Sequence, residues 1–74
     1  MTPYKNLSGE SGVTAYDIGP DFIEVRFASG TTYRYDVDSA GAANVERMKT
    51  LARAGRGLST FIAVHVRDAY ASKS

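Results

Sequence analysis

Residues Phe22 to Val37 read Phe-Ile-Glu-Val-Arg-Phe-Ala-Ser-Gly-Thr-Thr-Tyr-Arg-Tyr-Asp-Val, and they decide the fold. Ile23, Val25 and Phe27 alternate with Glu24 and Arg26, the period of a half-buried strand. Tyr33, Tyr35 and Val37 alternate likewise with Arg34 and Asp36. One residue of slip turns every side chain to the wrong face, so the turn must bring the two odd-numbered sets together. A two-residue Ser29-Gly30 loop fails, because it sets Val25 opposite Arg34. A three-residue loop, Ala28-Ser29-Gly30, succeeds: it needs a type I turn followed by a left-handed residue, and a glycine stands there. The predicted pairs are Phe27 with Thr31, Val25 with Tyr33 and Ile23 with Tyr35. On the other face Glu24 meets Arg34, an opposite-charge pair worth about 0.2–1 kcal/mol.

Upstream of this hairpin, Val13 to Ile18 predicts another strand, and Gly19-Pro20-Asp21 supplies the turn between them. Connections this short exclude parallel pairing and give an antiparallel meander. Residues 1–12 read as an arm, punctuated by Ser8-Gly9 and Ser11-Gly12, with Tyr4 and Leu7 as its large apolar groups. Either those two dock on the core or the arm is a loose tail.

Downstream the period changes. Asp38 and Ser39 are capping residues at the start of a helical pattern. Val45, Met48, Leu51 and Ala52 recur at helical spacing, with Glu46, Lys49, Thr50 and Arg53 on the opposite side. Gly41 weakens the first turn, so the helix starts between these caps and, at the latest, Ala42, and Gly55 is placed as a left-handed C-terminal cap. Gly55-Arg56-Gly57 is a tight connection. Ser59 then caps a second helix whose inner face is Leu58, Phe61, Ile62, His65, Val66 and Ala69. Ile62, Val64 and Val66 also alternate as a strand would. The absence of a breaker over the dozen or so residues to Tyr70 favours the helix.

The expected fold is therefore α+β: a three-stranded antiparallel β-meander followed by two α-helices packed on one sheet face, β-β-β-α-α. The covered face is the one carrying Ile23, Val25, Phe27, Tyr33, Tyr35 and Val37. Residues 13–70 form the single domain, 1–12 the arm, and 71–74 a frayed tail.

Composition narrows function more than it names it. A chain of 74 residues buries only about 60% of its unfolded surface, so its own core must suffice or a partner must add to it. There is no cysteine and one histidine, which argues against a disulfide framework and against a transition-metal site; no cofactor is implied. Met1 to Asn6 has no apolar run, and no stretch approaches the roughly 20 apolar residues of a membrane span, so a soluble, cytoplasmic protein is expected. The net charge of +1 hides an asymmetry. Residues 1–37 hold three basic and five acidic side chains, residues 38–74 six basic and three acidic. The basic surplus peaks between Arg47 and Arg56, a window with no acid. It is either an anion-binding face or an ordinary solvated helix face.

The run Tyr16-Asp17, Ile23-Glu24-Val25-Arg26-Phe27, Ser29-Gly30 and Tyr33-Arg34-Tyr35 resembles the KTSC domain family, named for a domain at the C-terminus of some lysyl-tRNA synthetases and found also as small free-standing bacterial proteins. The family's hallmark Tyr-x-Tyr is met by Tyr33 and Tyr35, and Val66-Arg67-Asp68-Ala69-Tyr70 is similar to its ending. The likeness runs from Val13 to Tyr70. After Val37 it loosens, where Asp38-Ser39-Ala40-Gly41 replaces the usual helix entry. Its activity is uncharacterised; its synthetase context implies RNA as a partner.

Two sets of residues stand as candidate sites. Tyr33 and Tyr35 would be a stacking platform for bases if their sheet face were open, but the register puts them on the covered face, as core. Arg53, Arg56, Gly57, Ser59 and Thr60 form the stronger anion candidate. A Gly-x-Gly turn lets backbone approach closely, a helix N-terminus presents N–H groups, two hydroxyls and two guanidiniums add donors. It is no P-loop, and a plain helix–helix turn reads the same way. His65 has Asp68 three residues on but no nucleophile at hand, so no catalytic group is named. The expected function is a non-catalytic binding module for RNA or another phosphate-bearing partner. The alternative is a protein-interaction or self-associating module, a homodimer for instance, using an exposed sheet edge.

Overall fold

The computed structural model describes residues 1–7, 9 and 11–74. Ser8 and Glu10, used above as arm punctuation and in the charge balance, lie outside the described residues. In chain order the elements are β1 (Thr2–Pro3), β2 (Val13–Ile18), β3 (Phe22–Phe27), β4 (Thr32–Asp36), α1 (Val37–Ala40), α2 (Ala42–Ala54), α3 (Leu58–Phe61), a π-helical segment (Ile62–Val66) and β5 (Ser72–Lys73).

The α+β class and the antiparallel sheet are as expected, and the hairpin register is the one its alternation demands. Ile23 faces Tyr35, Val25 faces Tyr33 and Glu24 faces Arg34. The Phe27 N–H donates to Thr31 O and the Gly30 N–H to Phe27 O, both at 2.9 Å, which closes the three-residue loop. Gly30 has φ 92°, a conformation that an L side chain rarely adopts. Arg34 reaches Glu24 at 3.4 Å and lies 3.7 Å over the Phe22 ring, so these two charges of the open sheet face are partnered.

The element count differs from β-β-β-α-α. Among the described residues the sheet has five strands in sequence order, and three helices cover it. Both added strands come from the chain ends. β1 pairs with β2, and β5 pairs with β4 through Tyr33–Lys73 and Arg34–Ser72, so residues 71–74 are not a frayed tail. Thr32 and Ser74 exchange N–H···O bonds of 2.8 and 2.9 Å, and the Ala71 N–H donates to Arg34 O at 2.6 Å. Two-residue strands show no alternation, which is why the sequence pattern misses them. They also blunt both sheet edges, with Pro3 on one and Lys73 on the other.

The helical layer holds five more differences. Asp36, rather than Asp38, caps α1: its carboxylate accepts from the Ser39 N–H at 2.8 Å while Ser39 Oγ accepts from the Asp36 N–H at 3.1 Å. β4 ends at Asp36, so Val37 joins the helix and is exposed instead of facing the core. Lys49 is buried, not solvated; its ammonium donates to Pro20 O at 3.0 Å and to Glu46 at 2.9 Å, tying α2 to the β2–β3 turn. Gly57 precedes α3 where Ser59 was expected as cap, and the helical path ends at Val66 instead of Tyr70. Gly41 divides the helical stretch, so that α2 starts at Ala42, the latest start the sequence allows, and it ends, as expected, on left-handed Gly55.

The core joins Val13, Ile23, Val25 and Tyr35 of the sheet to Met48 and Ala52 of α2 and to Leu58, Ile62 and Val66. The last three recur every fourth residue, so the helical spacing prevails over the strand-like alternation. Tyr4 joins this core at 6% exposure, so the arm docks; Leu7, at 65%, does not help. Among the described residues no helix is long and apolar enough to cross a membrane.

Candidate functional site

The basic corner expected to hold an anion is also where the arm lands. The Leu58 N–H, at the start of α3, donates to Tyr4 Oη at 3.3 Å. The Leu7 N–H donates to Gly55 O at 2.7 Å, and the Lys5 side chain lies against Gly55, where an added Cβ would come within 2.6 Å of Lys5 Cβ. Arg53, Arg56 and Thr60 are exposed and Ser59 is half-buried. Gly57 and Thr60 border a groove whose walls do not include Arg53, Arg56 or Ser59, so the five residues share no single concavity. One of the N–H groups at the start of α3 already has a partner, which leaves that helix end fewer donors for an anion.

A different concavity, lined by none of those five residues, lies between the β3–β4 turn and the segment leading into β5. It encloses about 450 Å³, within the range of ligand pockets. Its aromatic wall is Phe27, Tyr33, Tyr35 and Tyr70. Tyr33 is the hub: its ring centroid lies 5.4 Å from that of Phe27, edge-on, and 5.0 Å from that of Tyr70, tilted at 59°. The hairpin register delivers Phe27, Tyr33 and Tyr35 to this wall. Tyr70 arrives because the helical path stops at Val66 and the chain turns back to pair with β4.

Three exposed charged residues complete the cleft: Arg67, Asp68 and Lys73. Two cations against one carboxylate leave it net positive. Lys73 Nζ stands 5.8 Å from the Tyr33 ring centroid, at the outer limit of a cation–π contact. Tyr35 is the floor, 1% exposed, and its hydroxyl donates to Arg67 O at 3.3 Å. Burial first, then the charges of Tyr33, Tyr70 and Asp68, push its pKa from the ordinary 10.0 up to about 12. Tyr35 is thus core, as expected. Tyr33 is only half-buried and stands at the cleft. Ser29, the aliphatic hydroxyl of the cleft, bonds to Thr31 Oγ1 at 3.3 Å and not to a base.

The sequence pattern found Tyr33 and Tyr35 but not Arg67, Tyr70 and Lys73 as their companions. The first two of those stood in an expected helix and the last in an expected tail. His65 and Asp68 are separated by the end of the helical path: His65 stacks on Phe61 at 4.5 Å between centroids, and Asp68 borders the cleft. Among the described residues no group of three or more His, Asp and Glu side chains is placed to share a metal ion. Comparisons with family models, with curated proteins and with solved structures find no match.

Proposed function

We propose that the chain is a small, non-catalytic, KTSC-like binding module whose aromatic cleft receives a nucleotide of single-stranded RNA or a similar phosphate-bearing partner. One observation carries this reading: Tyr33 and Tyr70, rings fit to stack on a base, share a cavity of about 450 Å³ with the exposed cations Arg67 and Lys73. Stacking on an aromatic ring contributes about 1–3 kcal/mol per base and tolerates any sequence. The cations supply the phosphate contacts that dominate nucleic-acid affinity. The Tyr-x-Tyr likeness to the KTSC family points the same way.

The non-catalytic character rests on the cleft's chemistry. Ser29 Oγ bonds to the Thr31 hydroxyl and the Tyr35 hydroxyl to a backbone carbonyl, neither of them to a base. Arg53 and Arg56, with Gly57, Ser59 and Thr60, act at most as an outer steering surface, because exposed guanidiniums attract phosphate without fixing its position.

The test is an NMR titration with a short oligouridylate at low salt. Ring-proton shifts at Tyr33 and Tyr70 and amide shifts at Arg67 and Lys73 are expected. Shifts confined to residues 53–60, or none at millimolar RNA, would overturn the cleft as the site.

A further inference from the structure

A second concavity, of about 410 Å³, lies between α2 and the α3–π path. Its walls include Leu51, Phe61 and Val64, with Arg47 and His65 also bordering it. No Asp or Glu lines it. Arg47, exposed at its border, supplies its positive charge. Val64 is 67% exposed in a segment whose other branched residues, Ile62 and Val66, are buried. Val64 also lines the groove, so it extends the apolar wall of Leu51 and Phe61 to the surface. The backbone beneath it is irregular too: the Arg67 N–H donates to Ile62 O at 2.6 Å, five residues back, and such π-helical turns recur at functional sites.

We infer that this groove docks an acidic amphipathic helix from a partner protein, with aliphatic or aromatic anchors on Leu51, Phe61 and Val64 and carboxylates toward Arg47. The charge complementarity selects the occupant. RNA is disfavoured here, because Leu51 and Val64 offer no stacking surface and the Phe61 ring is already stacked by His65. A second copy of this chain is disfavoured as well. On its open sheet face Glu24 is paired with Arg34 and Phe22 lies under that guanidinium, so neither is a free anchor for the groove. Sheet face to groove would also be a head-to-tail contact, which does not close into a dimer.

The probe is a labelled peptide of about fifteen residues, long enough for a helix, with leucine and phenylalanine at i, i+4 and i+7 and glutamate between. A scrambled peptide and one with lysine for glutamate are the controls. Binding of the probe alone is expected, with amide shifts on α2, α3 and the π-helical segment and none at Tyr33 or Tyr70. Val64→Asp and Arg47→Glu alter exposed side chains, so both variants should keep the wild-type circular dichroism and each weaken the probe by roughly tenfold or more. Equal binding of the scrambled peptide, equal affinity for the variants, shifts in the cleft, or no binding at all would overturn the inference. So would self-association without peptide that Val64→Asp abolishes, which would assign the groove to a second copy. RNA binding at the cleft is unaffected by any of these outcomes.

Discussion

The basic corner at Arg53–Thr60 and the aromatic cleft at Tyr33–Lys73 both collect cations, and they differ in what the protein has already done with the neighbouring groups. At the corner the arm uses the Leu58 N–H and the Gly55 carbonyl, and Lys5 covers Gly55. At the cleft the aromatic rings pack on one another and line an open groove, with Arg67 and Lys73 exposed beside them. A surplus of charge locates a region. A site also needs concavity and groups that the fold has left without partners.

The strongest way to break this contrast is Tyr35→Ala. Tyr35 is both the floor of the cleft and a core residue opposite Ile23. Loss of about 3–5 kcal/mol is expected from urea unfolding, as for other large aromatic truncations. A loss under about 1 kcal/mol would mean that the ring is not packed and that the cleft has no floor.

Tyr4→Phe probes the corner. It leaves the buried Leu58 N–H without its acceptor, and about 1–3 kcal/mol of stability should go with it. It also removes a competing acceptor at the start of α3, beside the exposed Arg56 and Thr60. If inorganic phosphate or RNA then binds the variant more tightly than wild type, the corner is a latent anion site and the contrast fails. Unchanged binding sharpens it.

A pH titration distinguishes the floor of the cleft from its rim by a smaller effect. Tyr35 has a folded pKa of about 12 against an ordinary 10.0, so the neutral ring favours the folded state. Its contribution is complete below about pH 10 and is lost as pH rises through the folded value. Denaturant midpoints should therefore fall between pH 10 and 12 in wild type, and fall less in Tyr35→Phe. Equal alkaline slopes in the two proteins would place the Tyr35 hydroxyl in water.

How much of this could be read from the chain depends on where the information sits. The hairpin carries its register within sixteen residues: the odd-numbered apolar set and Gly30 admit one loop, and that loop is observed. The α2 boundaries follow from Gly41 and Gly55, whose local conformations decide them. The chain ends obey no local pattern. β1 and β5 are two residues each, and their places are set by Tyr4 docking under Leu58 and Tyr70 docking on Tyr33, contacts made across more than thirty residues of chain. The cleft inherits this division. Its tyrosine wall was legible as a motif, but its cations come from the turn after Val66 and from an edge strand, and neither has a signature in hydrophobic period. Lys49 failed for a related reason: helical spacing placed it outside, while the β2–β3 turn folds over it and gives its ammonium the Pro20 carbonyl.

The most direct measurement is the salt dependence of single-stranded RNA binding by two double variants, Arg67→Gln with Lys73→Gln and Arg53→Gln with Arg56→Gln. Each phosphate contact contributes a log K versus log salt slope of about −0.7 on single strands. Fluorescence anisotropy across a range of salt should show the cleft pair reducing the slope by about 1.4, or 0.7 for each lost contact, and weakening binding alike for unrelated sequences. The corner pair should change the slope by less than about 0.7, one contact's worth. The reverse ranking, or a wild type that binds no RNA at low salt, would contradict the cleft as the site of an RNA-binding module.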